Sequence, residues 1–159
     1  MDDLTVARVL HVLAIVLWIG GVGFATTALL PAVRRIPDPA QRLAVFEAVE
    51  RRFAPQARIS ILVAGLSGLY MLVRLDAWDR FTALSYWWMH AMVLVWLIFA
   101  IMLFVLEPFV LHRRFAARAQ RDPDGTFRAA HRVHLVLLLL SLLTILGAVA
   151  GSHGLLMFD

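Results

Sequence analysis

His11, His90 and His153 are the residues best placed to do chemistry in this chain, because each falls within or at the end of a long apolar stretch. An ionisable side chain is costly in such surroundings and usually faces a bundle interior or marks a functional pathway. A neutral imidazole offers one nitrogen lone pair to a metal. The stretch HVLAIVLWIGG at residues 11–21 sets His11, Ile15, Trp18 and Val22 on nearly one helical face, so imidazole and indole are expected to line one groove. His90, Leu94, Leu97 and Ile101 recur in the same way and are expected to line it from another helix. Sulfur follows the histidines: Met89 and Met92 flank His90, Met71 ends another apolar run, and Met157 lies one turn past His153.

Two chemistries use such donors. Imidazoles on facing helices can ligate a haem iron from both sides, and imidazole with thioether suits cuprous copper. The expected groove is otherwise aliphatic and aromatic, with no internal carboxylate, which favours haem b over an ion path. In that reading His11 and His90 are the axial ligands and His153 is an alternate ligand. Trp18, Gly20 and Gly21 line the cofactor, the glycines letting a flat macrocycle lie against backbone. The copper alternative uses His11, His90, His153, Met89 and Met157. His112, His131 and His134 fall at the opposite, arginine-rich boundary, where they read as solvated residues or as a second inner site.

The elements that must position these groups are transmembrane helices. Of the 159 residues 62% are hydrophobic and 16% charged, with mean hydropathy +0.81, far more apolar than a soluble domain. A helix needs about 20 residues to cross hydrocarbon, and four apolar segments are read as spans: residues 4–30, 59–73, 86–111 and 133–157, the second being short and expected to extend back through Arg58 into the preceding loop. The remaining polar stretches are too short for a second core, so a single transmembrane domain is expected. Between the first two spans, Leu43, Phe46, Val49 and Phe53 recur at helical spacing among Pro37, Pro39 and Pro55, predicting a short amphipathic helix on the membrane surface or running into span two. Short connections then predict an all-α, up-down four-helix bundle.

Charge sets the orientation. The loops after spans one and three carry twelve arginines, whereas the opposite side has Arg8, Arg74 and Arg80. By the positive-inside rule both termini face outward, into the periplasm of a bacterial inner membrane. Trp78, Tyr86, Trp87 and Trp88 are expected at headgroup level on that side. The first span has no basic leader or cleavage site and reads as retained. All basic residues are arginine and they sit beside apolar spans, so the lipid bilayer, not nucleic acid, is the expected anionic partner. Cysteine is absent, which excludes disulfides and thiolate metal sites.

The first-span motif His-x6-Trp-x-Gly-Gly at His11, Trp18, Gly20 and Gly21, with RISILVAGLSGLYML, YWWMHAMVLVW and HLVLLLLSLLTILGAVAG, resembles the CopD-like copper-resistance membrane family and the HemJ-type protoporphyrinogen oxidases. The resemblance covers nearly the whole chain. It implies a four-helix membrane fold, a b-type haem held by the first-span histidine, here His11, or copper handling at the periplasmic face. HemJ-type proteins also carry a lysine on span three. This chain has no lysine, and His90 stands in the comparable region, which speaks against porphyrinogen oxidation and for ligation by two histidines. The expected function is therefore cytochrome-like electron transfer or haem-linked oxidation, with a quinone or periplasmic redox partner. Copper binding or transport, and a cofactor-free accessory membrane subunit, are the alternatives.

Overall fold

The computed structural model describes residues 2–155, leaving aside the side chains of residues 109–113. Its elements are α1 (Asp3–Val33), α2 (Pro39–Arg74), α3 (Trp87–Ile101, continued by a π-helical segment Met102–Leu111), α4 (His112–Arg121) and α5 (Pro123–Ser152). No strand occurs among the described residues. Four helices are long and apolar enough to cross a membrane: α1, α2, α5, and the stretch Leu84–Pro108 that contains α3. Their outward faces are largely Leu, Val and Ile.

Of the two placements expected for the amphipathic segment, the structure has the one that runs into span two: α2 is unbroken for 36 residues with Pro55 inside it. A proline removes one hydrogen bond of the ladder at a cost of about 3 kcal/mol. Here it sits exposed between Ala54 and Ala57, both buried, and packing on either side holds the helix together. Span one likewise passes Pro31 and ends at Val33, after a π turn at Ala25–Leu29 widens the helix just ahead of the proline. Leu30 and Val33 are then fully buried, which rewards the extra turn.

Helix contacts are made by small residues on one side and large rings on the other. Ala7 and Ala14 of α1 and Ala57, Ser60, Ala64 and Ser67 of α2 are all buried. At one end of this pair, Asp3 accepts from Tyr70 Oη at 2.7 Å and Arg74 Nη2 at 2.9 Å, so the two helices are antiparallel. Between α3 and α5, Gly147 and Gly151 are the seats of Trp87 and Trp88: a Cβ at either position would collide with the indole. Trp88 is consequently buried, so it is a packing residue and not a headgroup anchor, while Trp78 is exposed. Trp96 lies on Gly65 and donates Nε1 to the Ile61 carbonyl at 2.9 Å. In mid-bundle, Trp18 of α1 meets Phe99 of α3 edge to face at 4.9 Å.

A second core closes the arginine-rich end, where Leu30, Val33, Phe46, Ala119 and Phe127 are buried together. Phe46, Phe115 and Phe127 pack with centroids 5.1–5.5 Å apart. Beside them Arg42, 6% exposed, donates Nε and Nη2 to the Ile36 carbonyl and Nη1 to Asp124 at 2.6 Å. The buried guanidinium thus ties the α1–α2 loop to the start of α5.

The difference in burial between these two partners predicts unequal mutants. Arg42→Ala strips a carbonyl and a carboxylate of their donor and should cost about 2–3 kcal/mol. Asp124→Asn keeps a hydrogen-bonding group at an exposed position and should lower stability by clearly less. Thermal unfolding in detergent measures both, and equal losses would contradict the assignment.

Candidate functional site

The polar groups of the apolar helices are mostly tied to their own backbone. Thr26, Ser141 and Thr144 donate to the carbonyl four residues earlier. His11 is different, since its partners belong to another helix.

The interior stripe of α1 is Ala7, Ala14, Trp18 and Val22, all buried, with His11 and Ile15 half-buried on the same face. This is the face that the sequence predicts. His11 Nδ1 lies 2.9 Å from the Ala64 carbonyl and 3.1 Å from Ser67 Oγ. A carbonyl only accepts, so Nδ1 carries the hydrogen and the neutral ring keeps its lone pair on Nε2. Ser67 donates its own hydrogen to Val63 at 2.5 Å, which leaves its oxygen free to accept. Gly68 completes the seat: a Cβ there would stand 3.1 Å from Cε1 of the ring. One turn of α2 therefore fixes both the position and the tautomer of His11.

His90 does not face it. On α3 Trp88 and Phe99 are buried, and Val95, Trp96, Ile98 and Ala100 are partly buried against the core. His90 is exposed on the opposite face, in line with Leu94, Leu97 and Ile101, which are also exposed. Its ring stands edge-on to Phe81 at 5.2 Å. The expected groove wall on span three is thus turned outward. The reason lies in the glycine seats, because placing Trp88 on Gly151 and Trp96 on Gly65 fixes the rotation of α3 and leaves position 90 outside.

His153 is exposed at the end of α5, where Nδ1 lies 2.8 Å from the Val149 carbonyl and caps its own helix. Among the described residues no three of His, Asp and Glu gather in a way that could hold a metal. Met89 is half-buried beside His90, and Met157 lies outside the described residues.

In the rest of the first-span motif, Trp18 and Gly21 are packed against other helices and Gly20 is not. Trp18 is 4% exposed against Phe99, and its buried Nε1 has no acceptor among the described residues. Gly20 is exposed with nothing near it, whereas the space beside Gly21 is filled by the ring of Phe53. Trp18, Gly20 and Gly21 therefore do not form one flat surface, because successive helical positions point different ways. At the other boundary, Arg34 Nη1 lies 3.3 Å from His131 Nδ1 and His134 donates to the Ala130 carbonyl at 2.9 Å. The side chain of His112 is outside the described residues.

One polar constellation escapes a reading of spacing alone. Glu107, which beside Pro108 suggests only a bend, pairs with Arg58 of α2 at 3.0 Å. Arg58 Nε also approaches the Leu103 carbonyl at 3.3 Å. In the π-helical segment that carbonyl would be served by the N–H five residues on, which is Pro108 and has none. Arg58 thus supplies a counter-charge and a missing donor together. The signal was available, since an acid next to a helix-interior proline needs both.

Opposite burial predicts opposite sensitivity of the two histidines. His11→Phe removes the bond to α2 and crowds Gly68, and should cost about 1–3 kcal/mol. His90→Phe replaces an exposed ring and should change stability by less than about 0.5 kcal/mol. Melting temperatures of the two variants in detergent check the order, which a reversed ranking would refute.

No protein-family model matches the chain, and neither does any curated protein or solved structure, so a functional reading rests on these residues themselves.

Proposed function

We propose that this chain is a multi-pass protein of the bacterial inner membrane, an up-down four-helix bundle with periplasmic termini, which binds haem b through His11 and serves electron transfer or a haem-linked oxidation. Arginine asymmetry supports the orientation, and four apolar helices support the membrane.

The observation that carries the haem reading is the fixed tautomer of His11. Metal-ligating histidines characteristically donate the other ring nitrogen to a carbonyl or carboxylate, which orients the ring and raises its basicity. His11 meets that description, through Ala64 and Ser67. The donor set fits attachment by one histidine and does not fit a clamp with His90 or His153, which are turned elsewhere. Haem, when bound, supplies one-electron redox chemistry whose potential depends on ligand and burial. The chain's own residues hold the ligand: Ala64 keeps the hydrogen on Nδ1, and Gly68 leaves the ring its clearance. A quinone or a periplasmic donor approaching this end of the bundle is the partner class.

The same hydrogen bond favours a second reading, in which His11 only ties α1 to α2 and the chain is a cofactor-free accessory subunit. An optical spectrum separates the two. Protein purified from haem-replete cells should show a Soret band and reduced α and β bands, lost by at least about tenfold in His11→Ala and kept in His90→Ala. A colourless preparation without metal establishes the accessory reading. Stoichiometric copper without porphyrin, lost in His11→Ala, would replace haem by copper handling.

A further inference from the structure

The arginine-rich end holds a cleft of about 470 Å³ lined by Pro31, Arg34, Arg35, Asp124 and Arg128. Its composition is lopsided. Asp124, the one acidic wall, is already engaged by the buried Arg42 at 2.6 Å. Arg34, Arg35 and Arg128 are exposed and make no close ion pair among the described residues, Arg34 and Arg128 acting on Asp124 only through longer-range attraction. Arg34 is steadied instead by His131, whose Nδ1 must accept, because a guanidinium only donates.

Three guanidinium groups without an ion pair surround one cavity and present donors in forks, against a single carboxylate, Asp124, whose Oδ1 is taken by Arg42. Such a set matches the tetrahedral oxygens of a phosphate, which accept bidentate pairs from arginine. The cleft is also rigidly framed. Pro31 belongs to the turn that buries Leu30 and Val33, and Asp124 and Arg128 stand on the first turns of α5, next to the fully buried Phe127. From this end α1 and α5 continue into exposed apolar surface at Phe24, Val133 and Val136. That is the setting of a lipid whose phosphate lies at the boundary.

We propose that Arg34, Arg35 and Arg128 form a binding site for a phosphate-bearing anion, either the headgroup of an acidic phospholipid or a free phosphate. The site is independent of His11 and of any cofactor.

The test compares the full chain with two triple variants of equal charge change. One is Arg34→Gln, Arg35→Gln, Arg128→Gln; the other, a control away from the cleft, is Arg51→Gln, Arg52→Gln, Arg121→Gln. Each is placed in nanodiscs of mixed phosphatidylglycerol and phosphatidylcholine, and lipid retained after extraction is counted by native mass spectrometry. Each is also delipidated and titrated with inorganic phosphate by calorimetry. Retention of phosphatidylglycerol that falls at least about tenfold in the cleft variant but not in the control supports the site with a lipid source. Phosphate binding that falls in the same pattern, without lipid preference, supports it with a soluble source. Equal behaviour of the two variants in both arms overturns the proposal, because general positive charge would then account for all binding. Matching melting temperatures confirm that both variants are folded.

Discussion

A polar atom carried into hydrocarbon has to find its partner within the protein, since no water is there to replace it. With four helices long and apolar enough to cross a membrane, this chain meets that requirement at most of its polar side chains. Serines and threonines answer it locally, by returning to the carbonyl four residues back. Groups that cannot bond to their own helix become the ties between helices. Trp96 reaches Ile61, His11 reaches Ala64 and Ser67, and Arg58 reaches Glu107 and Leu103. Each tie joins α2 to α1 or to α3, so the second helix is the one against which the others are registered.

Close approach is the companion condition. Helices in lipid gain little from hiding one apolar face against another, and their association depends on packing and on bonds of this kind. Glycines therefore matter as seats. Gly21 receives Phe53, Gly65 receives Trp96, and Gly147 and Gly151 receive the two neighbouring tryptophans. Once those rings are seated, the rotation of α3 is no longer free. His90 is on the outside as a consequence, and His11 is left as the inward imidazole of the first span.

The two ends of the molecule then differ in kind. At the end near His11, Asp3 and His11 tie α1 to α2 and the wall is built of alanine, glycine and tryptophan. At the other end, a small aromatic core and a buried arginine lock the loops together and leave further arginines pointing at a cleft. A cofactor reading attaches to the first and an anion reading to the second. Neither depends on the other, because they share no side chain.

Much was legible from the residues in order. Hydropathy and length gave four long helices, and the 3.6-residue period correctly set His11, Ile15, Trp18 and Val22 on the inner face of the first, since helical geometry alone decides which positions share a side. The same period also grouped His90 with Leu94, Leu97 and Ile101, and that grouping is real; what it could not say was whether the shared face pointed inward. Apolarity is silent there, because a lipid-facing side and a core-facing side are equally rich in leucine. Tertiary structure decided it through volume, by seating the bulky indoles on Gly65, Gly147 and Gly151. It also decided that the helices continue past Pro55 and, after a π turn, past Pro31, that Phe53 occupies the space at Gly21, and that Arg58 answers Pro108. Each of these depends on a partner far away in the chain, which local sequence does not encode.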